Sequence, residues 1–300
     1  MMYLAHYGMS AAPFGLTPNT AFYVDLPIHQ QAMAVLTVAL SQGEGFIKVT
    51  GEVGTGKTLL CRKLLQEAPE HFALAYIPDP HLSPLELRWA LALELGLKHS
   101  ANIDPQQLTQ LLQRQLVLLA QQQKQVVLLI DEAQALPDET LEALRLLTNL
   151  ETEQRKLLQV VLFGQPELNQ RLALYQFRQL RQRISFSYDL SVLNRAQVAC
   201  YVNARLQLAG ASQLFSRTAL WLLHYYSRGI PRLINILAHK ALMLGYGKAL
   251  QQIGCYQVMQ AARDTDDVQA GKPHNSGFWW PLLAPAALLA LWYWLPGGWW

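Results

Sequence analysis

The sequence predicts an α/β fold in which helices cover both faces of a parallel sheet, followed by a smaller all-helical domain. Three observations predict it. Five short apolar, β-prone runs alternate with stretches of leucine at helical spacing, the alternation expected of a parallel sheet buried on both faces. The strand pattern stops after Leu190, and only helical periodicity follows. The chain has 300 residues, of which 51% are hydrophobic, enough for a substantial core without disulfides or metals.

The elements follow in order. Residues 1–40 form a lead-in with turn signals through Pro27 and an apolar helical stretch from Gln30 to Leu40. Within the core, residues 41–190, the strands are expected at Phe46–Thr50, Phe72–Ile77, Val126–Ile130, Leu157–Phe163 and Ile184–Tyr188. Covering helices are expected at Pro84–Leu97, Pro105–Gln122 and Asp138–Leu150, with Ser83 and Asp104 placed before prolines as N-caps. Glutamines between Gln106 and Gln125 interleave with leucines at helical period, which reads as a solvated helix face. A helical domain, residues 191–263, is predicted from Arg195–Ala209, Arg217–Ser227, Arg232–Tyr246 and a weaker helix at Tyr256–Arg263. The polar stretch 264–277 reads as a linker.

The stretch Phe278–Leu295 carries no charge and is flanked by Trp279, Trp280, Trp292 and Trp294, an aromatic pattern of membrane interfaces. Its length is near the lower end of the roughly 17–25 residues a span requires, and it is expected to be a C-terminal transmembrane helix. The amino-terminal region lacks a charged n-region and an unbroken apolar run, with Pro13, Gly15 and Pro18 interrupting it early, so the bulk of the chain is expected in the cytoplasm, anchored to the inner membrane by this segment.

Composition excludes several classes. A net charge of +3 and no basic run longer than Arg62-Lys63 argue against a nucleic-acid partner. Cys61, Cys200 and Cys255 are far apart, without metal-ligand spacing, and read as packed thiols. His29, His71, His81 and His224 show no ligand spacing either, and no nucleophile–base constellation is visible.

The chemistry sits at the strand ends. Gly51-Glu52-Val53-Gly54-Thr55-Gly56-Lys57-Thr58 follows a strand and opens a helix, the context a Walker A loop requires. Glycines let successive backbone N–H groups curl around a phosphate, and the helix N-terminus adds a favourable dipole. Lys57 is placed to reach the β- and γ-phosphates and Thr58 to ligate Mg²⁺, making ATP with Mg²⁺ the expected ligands. The apolar strand Val126–Ile130 ends abruptly in Asp131-Glu132, and a buried strand rarely ends in two carboxylates without a cation or proton to handle. Asp131 is expected to orient the Mg²⁺ shell and Glu132 to polarise the attacking water of ATP hydrolysis.

The lead-in Met9–Asn19, the P-loop, Asp131-Glu132-Ala133-Gln134 and Gly164-Gln165-Pro166-Glu167-Leu168 together resemble the secretion ATPase A group of AAA+ proteins over roughly residues 2–262. The resemblance implies a P-loop AAA+ αβα sandwich followed by a helical lid. It implies a sensor 1 role for Gln165, near the γ-phosphate, and a sensor 2 role for Arg232 within Gly229-Ile230-Pro231-Arg232. Of Arg178, Arg181 and Arg183, either Arg181 or Arg183 is placed like an arginine finger that reaches a neighbour's ATP, which implies a homo-oligomeric ring. The implied output is assembly or placement of an envelope machine, type II secretion-like or a type IV pilus of the MSHA kind, with inner-membrane proteins as partners. Some relatives continue into a peptidoglycan-binding part, an activity not carried over to this chain. Two other readings stand beside this one: a DNA-linked regulatory ATPase of the transposition type, and a nucleotide-switched scaffold with little turnover.

Overall fold

The computed structural model describes residues 2–17, 20–97, 104–151 and 156–270. Five strands form one parallel sheet in the order β2-β3-β4-β1-β5, with β1 Phe46–Gly51, β2 Phe72–Ile77, β3 Gln125–Ile130, β4 Leu158–Gly164 and β5 Ile184–Leu190. The strands lie within a residue or two of their predicted positions. Side chains alternate across the sheet as strand geometry requires. Val127, Leu129, Val161 and Phe163 enter one core, while Val126, Leu128, Val160 and Leu162 enter the other.

Two helices cover the first face, α2 (Pro27–Ser41) and α3 (Lys57–Glu67), and α1 (Met2–His6) precedes them. The second face is covered by α4 (Pro84–Glu94), α5 (Pro105–Gln121), α6 (Asp138–Leu147), α7 (Pro166–Ala173) and α8 (Arg178–Arg181). The N-caps behave as their residue types dictate. Ser83 forms a reciprocal capping box with Glu86, and Asp104 accepts from the N–H groups of Gln106 and Gln107. Helix α4 stops before its predicted end at Leu97 because Gly96 turns the chain at φ +71° and Leu97 N–H returns to Ala92 O at 2.9 Å.

The lid contains α9 (Arg195–Leu208), α10 (Arg217–Ser227), α11 (Pro231–Gly247) and α12 (Cys255–Arg263). Of the linker predicted over residues 264–277, residues 271–277 lie outside the described residues, and α13 (Asp266–Ala270) is instead helical and continues the lid. Thr265 and Val268 are buried there, Thr265 Oγ1 donates to Ala261 O at 2.7 Å, and Lys240 pairs with Asp264 at 2.8 Å. The predicted transmembrane segment 278–295 lies outside the described residues; among those described, no helix is long and apolar enough to cross a membrane.

The lead-in is a strap across both domains. Tyr3, Tyr7, Met9 and Phe14 are buried with lid residues such as Leu206, Phe215 and Leu242. Tyr7 Oη donates to Leu242 O at 3.3 Å, Ser10 N–H donates to Ala209 O at 2.8 Å, and the Phe14 and Phe215 rings meet edge to face. Beyond Leu26, α2 packs instead on the sheet, where Tyr188 Oη donates to Ile28 O at 3.1 Å.

Candidate nucleotide-binding site

Strand order explains the site. Parallel strands end on the same edge of a sheet, where ligands of such folds gather. Because β4 lies between β1 and β3, the residue that follows β4 stands between the loops that follow its two neighbours. Thr50 at the end of β1 pairs with Gly164, and Ile130 at the end of β3 pairs with Leu162. The P-loop, Gln165 and Asp131-Glu132 therefore converge.

The P-loop runs from Gly51 into α3, with Gly54 at φ +82° and Gly56, the N-cap of α3, at φ +104°. Both values lie in the left-handed region open to glycine, and they aim backbone N–H groups into the loop's concavity. Lys57 is buried, and its ammonium donates to Gly51 O at 2.7 Å and Glu52 O at 3.0 Å. Burial pulls the Lys57 pKa down, and the nearby Glu132 and Asp131 carboxylates oppose that shift.

Asp131 is also buried, and burial raises its pKa while hydrogen bonds from the Thr58 hydroxyl and from Glu132 N–H act against the rise. A threonine hydroxyl and a carboxylate already in contact beside a phosphate-binding loop are hard oxygen donors of the kind Mg²⁺ takes in nucleotide sites. The residues present therefore fit the metal.

Glu132 adopts φ 50°, an uncommon conformation for a glutamate, and its carboxylate Oε2 accepts from Gln134 Nε2 at 2.6 Å and Gln165 Nε2 at 2.9 Å. Burial would raise its pKa, but those two bonds and the Lys57 charge outweigh it and hold the group below the ordinary glutamate value. Gln134 also accepts from Gln165 N–H at 2.9 Å, and Arg171 donates to Gln134 O at 2.6 Å. Asp131-Glu132, Gln134 and Gln165 thus form one braced cluster.

Arg232 approaches from the lid, its N–H donating to Gly54 O at 3.2 Å. It lines a cleft of about 320 Å³ with Gly54, Gly56, Lys57, Thr58 and Glu132. Arg181 and Arg183 are not among the residues lining this cleft. Arg183 donates to Arg145 O at 3.0 Å and Thr148 Oγ1 at 3.3 Å, whereas Arg181 is exposed and makes one 3.4 Å bond to Ala173 O.

The far wall of the cleft was not anticipated. Gly15, Leu16 and Thr17 of the strap, with Tyr201, Arg205 and Asn235 of the lid, complete it. Tyr201 and Arg205 share a helix face four residues apart and Asn235 comes from another helix, a pattern with no motif to announce it. Gln134 was visible within the motif after β3, but its bridging role depends on a side-chain contact that spacing does not encode.

A parallel sheet with a phosphate loop after β1, paired carboxylates after β3 and a polar residue after β4 is the arrangement of the P-loop AAA fold. Residues 40–172 match the family model for the AAA domain. Over 294 residues the chain is 40% identical to general secretion pathway protein A of Aeromonas hydrophila, an alignment covering 98% of this chain and 54% of that protein. The chain thus spans about half the length of the curated relative to which it is related. Among solved structures it is similar to Cdc6p from Pyrobaculum aerophilum, with a TM-score of 0.63, 17% identity, and coverage of 90% of this chain and 74% of that one. It is also similar to Drosophila ORC bound to DNA, with a TM-score of 0.61, 20% identity, and coverage of 94% and 74%. These two likenesses are of fold.

Proposed function

We propose that the chain binds ATP with Mg²⁺, hydrolyses it, and uses the resulting change in lid position to assemble or place an envelope machine. The observation that carries the catalytic reading is the Glu132 carboxylate, held charged by Gln134 and Gln165 at the open end of the P-loop. The P-loop N–H groups and Lys57 hold the phosphates, the ammonium exchanging the carbonyls of Gly51 and Glu52 for phosphate oxygens. Mg²⁺, held by Thr58 and Asp131, supplies neutralisation of phosphate charge when bound. Glu132 orients the water and accepts its proton, and Gln165 fixes the direction of the carboxylate. Arg232 reports the phosphate state to the lid, and Arg181 or Arg183 completes the site of a neighbour in a homo-oligomeric ring.

The envelope role is supported by the relation to general secretion pathway protein A. Within that role the leading candidate is type IV pilus biogenesis of the MSHA kind, since the motif set resembles that of MSHA pilus biogenesis protein M. The ATPase domain is placed on the cytoplasmic side, tethered to the inner membrane by residues 278–295, with pilus or secretion inner-membrane proteins as partners.

Tagged Glu132→Gln protein, loaded with ATP and extracted in mild detergent, is expected to co-purify pilus or secretion inner-membrane components that a Lys57→Ala control does not retain. Recovery of DNA or a recombinase instead would sink the envelope reading and favour a DNA-linked regulator.

A further inference from the structure

Arg205 is a buried cation that pairs with no carboxylate among the described residues. It is 6% exposed, yet it lines the same cleft as the phosphate loop. Its Nε donates to Pro13 O at 2.5 Å and its Nη1 donates to Tyr201 Oη at 2.7 Å. Tyr201 Oη in turn donates to Asn235 Oδ1 at 3.0 Å, so three lid side chains form one chain of hydrogen bonds. The guanidinium carbon sits 5.5 Å from the Phe22 ring centroid and 5.4 Å from that of Tyr201. Among the described residues no carboxylate pairs with Arg205, and no hydrogen bond engages Nη2.

Burying a charge is costly unless its donors are used. Arginine carries five N–H donors in a rigid fork, and a single bond to Pro13 O would not need them. Arg205 lines a cleft whose phosphate site is already served by Gly54–Thr58, and whose other walls include Leu16, Leu59 and Pro231. Such walls suit a flat ring rather than a phosphate.

We propose that Arg205 recognises the nucleobase, its Nη2 donating to a ring acceptor nitrogen of adenine while Tyr201 and Asn235 hold the guanidinium in place. This deepens the ATP reading above and rests on it. A guanidinium donates and never accepts, so it pairs with the ring nitrogens and not with the exocyclic amine. The competing account is a clasp that only ties Pro13 to the lid. Loss of a clasp would lower affinity for every triphosphate alike, whereas loss of a base reader penalises only ligands that carry the base.

The test measures binding of ATP, ribose 5′-triphosphate and tripolyphosphate to the full chain, to Arg205→Met and to a Lys57→Ala control, together with the 1-deaza, 3-deaza and 7-deaza analogues of ATP. One deaza analogue is expected to bind the unmodified chain about tenfold more weakly than ATP, the scale of one hydrogen bond to a charged group. Arg205→Met is expected to weaken ATP by about the same factor, erase that deaza penalty and leave the two base-free ligands unchanged. The proposal is overturned if all three deaza analogues bind like ATP, if the deaza penalty survives in Arg205→Met, or if Arg205→Met weakens all ligands equally. Should Arg205→Met not fold, Arg205→Lys runs the same cycle, keeping the charge with a different donor geometry. Base-free triphosphates that bind the unmodified chain but not Lys57→Ala keep the P-loop reading intact whatever Arg205 does. Binding of no ligand at all would overturn both.

Discussion

Gly54→Ala probes the contact between P-loop and lid, and its cost can be worked from the coordinates. A Cβ at Gly54 would lie 2.6 Å from Arg232 Cβ and 3.3 Å from both Arg232 Cδ and Ile230 Cγ2, and the residue sits at φ +82°. The left-handed backbone costs an L residue about 1–2 kcal/mol, and overpacking adds about 1–3 kcal/mol. The sum, about 2–5 kcal/mol, is large against the stability of a domain. The two parts separate by mutation. Arg232→Gly removes the Cβ that is struck and should recover the overpacking share, whereas Arg232→Ala keeps that Cβ and should recover little. Urea unfolding of nucleotide-free protein, taken around double-mutant cycles, should give a coupling of about 1–3 kcal/mol between Gly54→Ala and Arg232→Gly. Additivity within about 0.5 kcal/mol in the glycine cycle, or an equal rescue by alanine, would refute the contact.

Glu132→Gln keeps the size of the side chain and removes its basicity, so single-turnover hydrolysis should fall by about 10²–10⁴ while ATP affinity in a direct binding assay stays within a few-fold. Gln165→Leu deletes a donor to the charged form of Glu132, whose pKa is held low; the pKa should rise, and the acid limb of the single-turnover rate should move to higher pH. An unmoved limb would place the base elsewhere. His29 is kept neutral by burial beside the P-loop, with its pKa lowered, so the unfolded chain takes up the proton first as pH falls. Its stabilising contribution is complete above the unfolded value of about 6.5 and is lost on acidification through the lower folded value, so the urea midpoint should fall between about pH 7.5 and pH 5.5. His239, also lowered by burial, contributes with the same sign, and His29→Gln should flatten part of the slope.

Half of the cleft was legible because phosphate chemistry imposes contiguous patterns. A loop that wraps a phosphate with its own backbone must be glycine-rich in one stretch, and a strand that delivers carboxylates must end in them. The opposite wall obeys no such rule. Tyr201, Arg205 and Asn235 meet only after α9 and α11 pack, and Arg205 in the sequence is one arginine among many on a helix. The missed elements were short: α1 and α13 have five residues each and α7 has eight, too few for a helical period to repeat convincingly. In α13 the polar composition also pointed to a linker, and its order comes from tertiary contacts of Asp264, Thr265 and Val268. The central strands β3 and β4 were legible because burial on both faces makes their apolar runs nearly continuous, whereas the edge strand β5 shows the alternation of a half-buried strand.

The strap joins the lid to the sheet domain beside the cleft. From Tyr3 to Pro13 it is bonded to the lid, through Tyr7, Ser10 and the Arg205 contact to Pro13 O. From Pro27 onward, α2 rests on the sheet, where Ile28 O takes the Tyr188 hydroxyl and His29 packs against the P-loop at Gly56. The lid is further pinned to the sheet domain by Arg232 N–H on Gly54 O at 3.2 Å. Both flanks of the strap are therefore anchored, with residues 15–17 in the stretch between them. That is the stretch from which Gly15, Leu16 and Thr17 line the cleft. Under the proposed function, a nucleotide in the cleft would touch the strap where it passes from lid to sheet domain, so ligand contacts and lid angle would bias each other directly, without a chain of intermediates between separate sites.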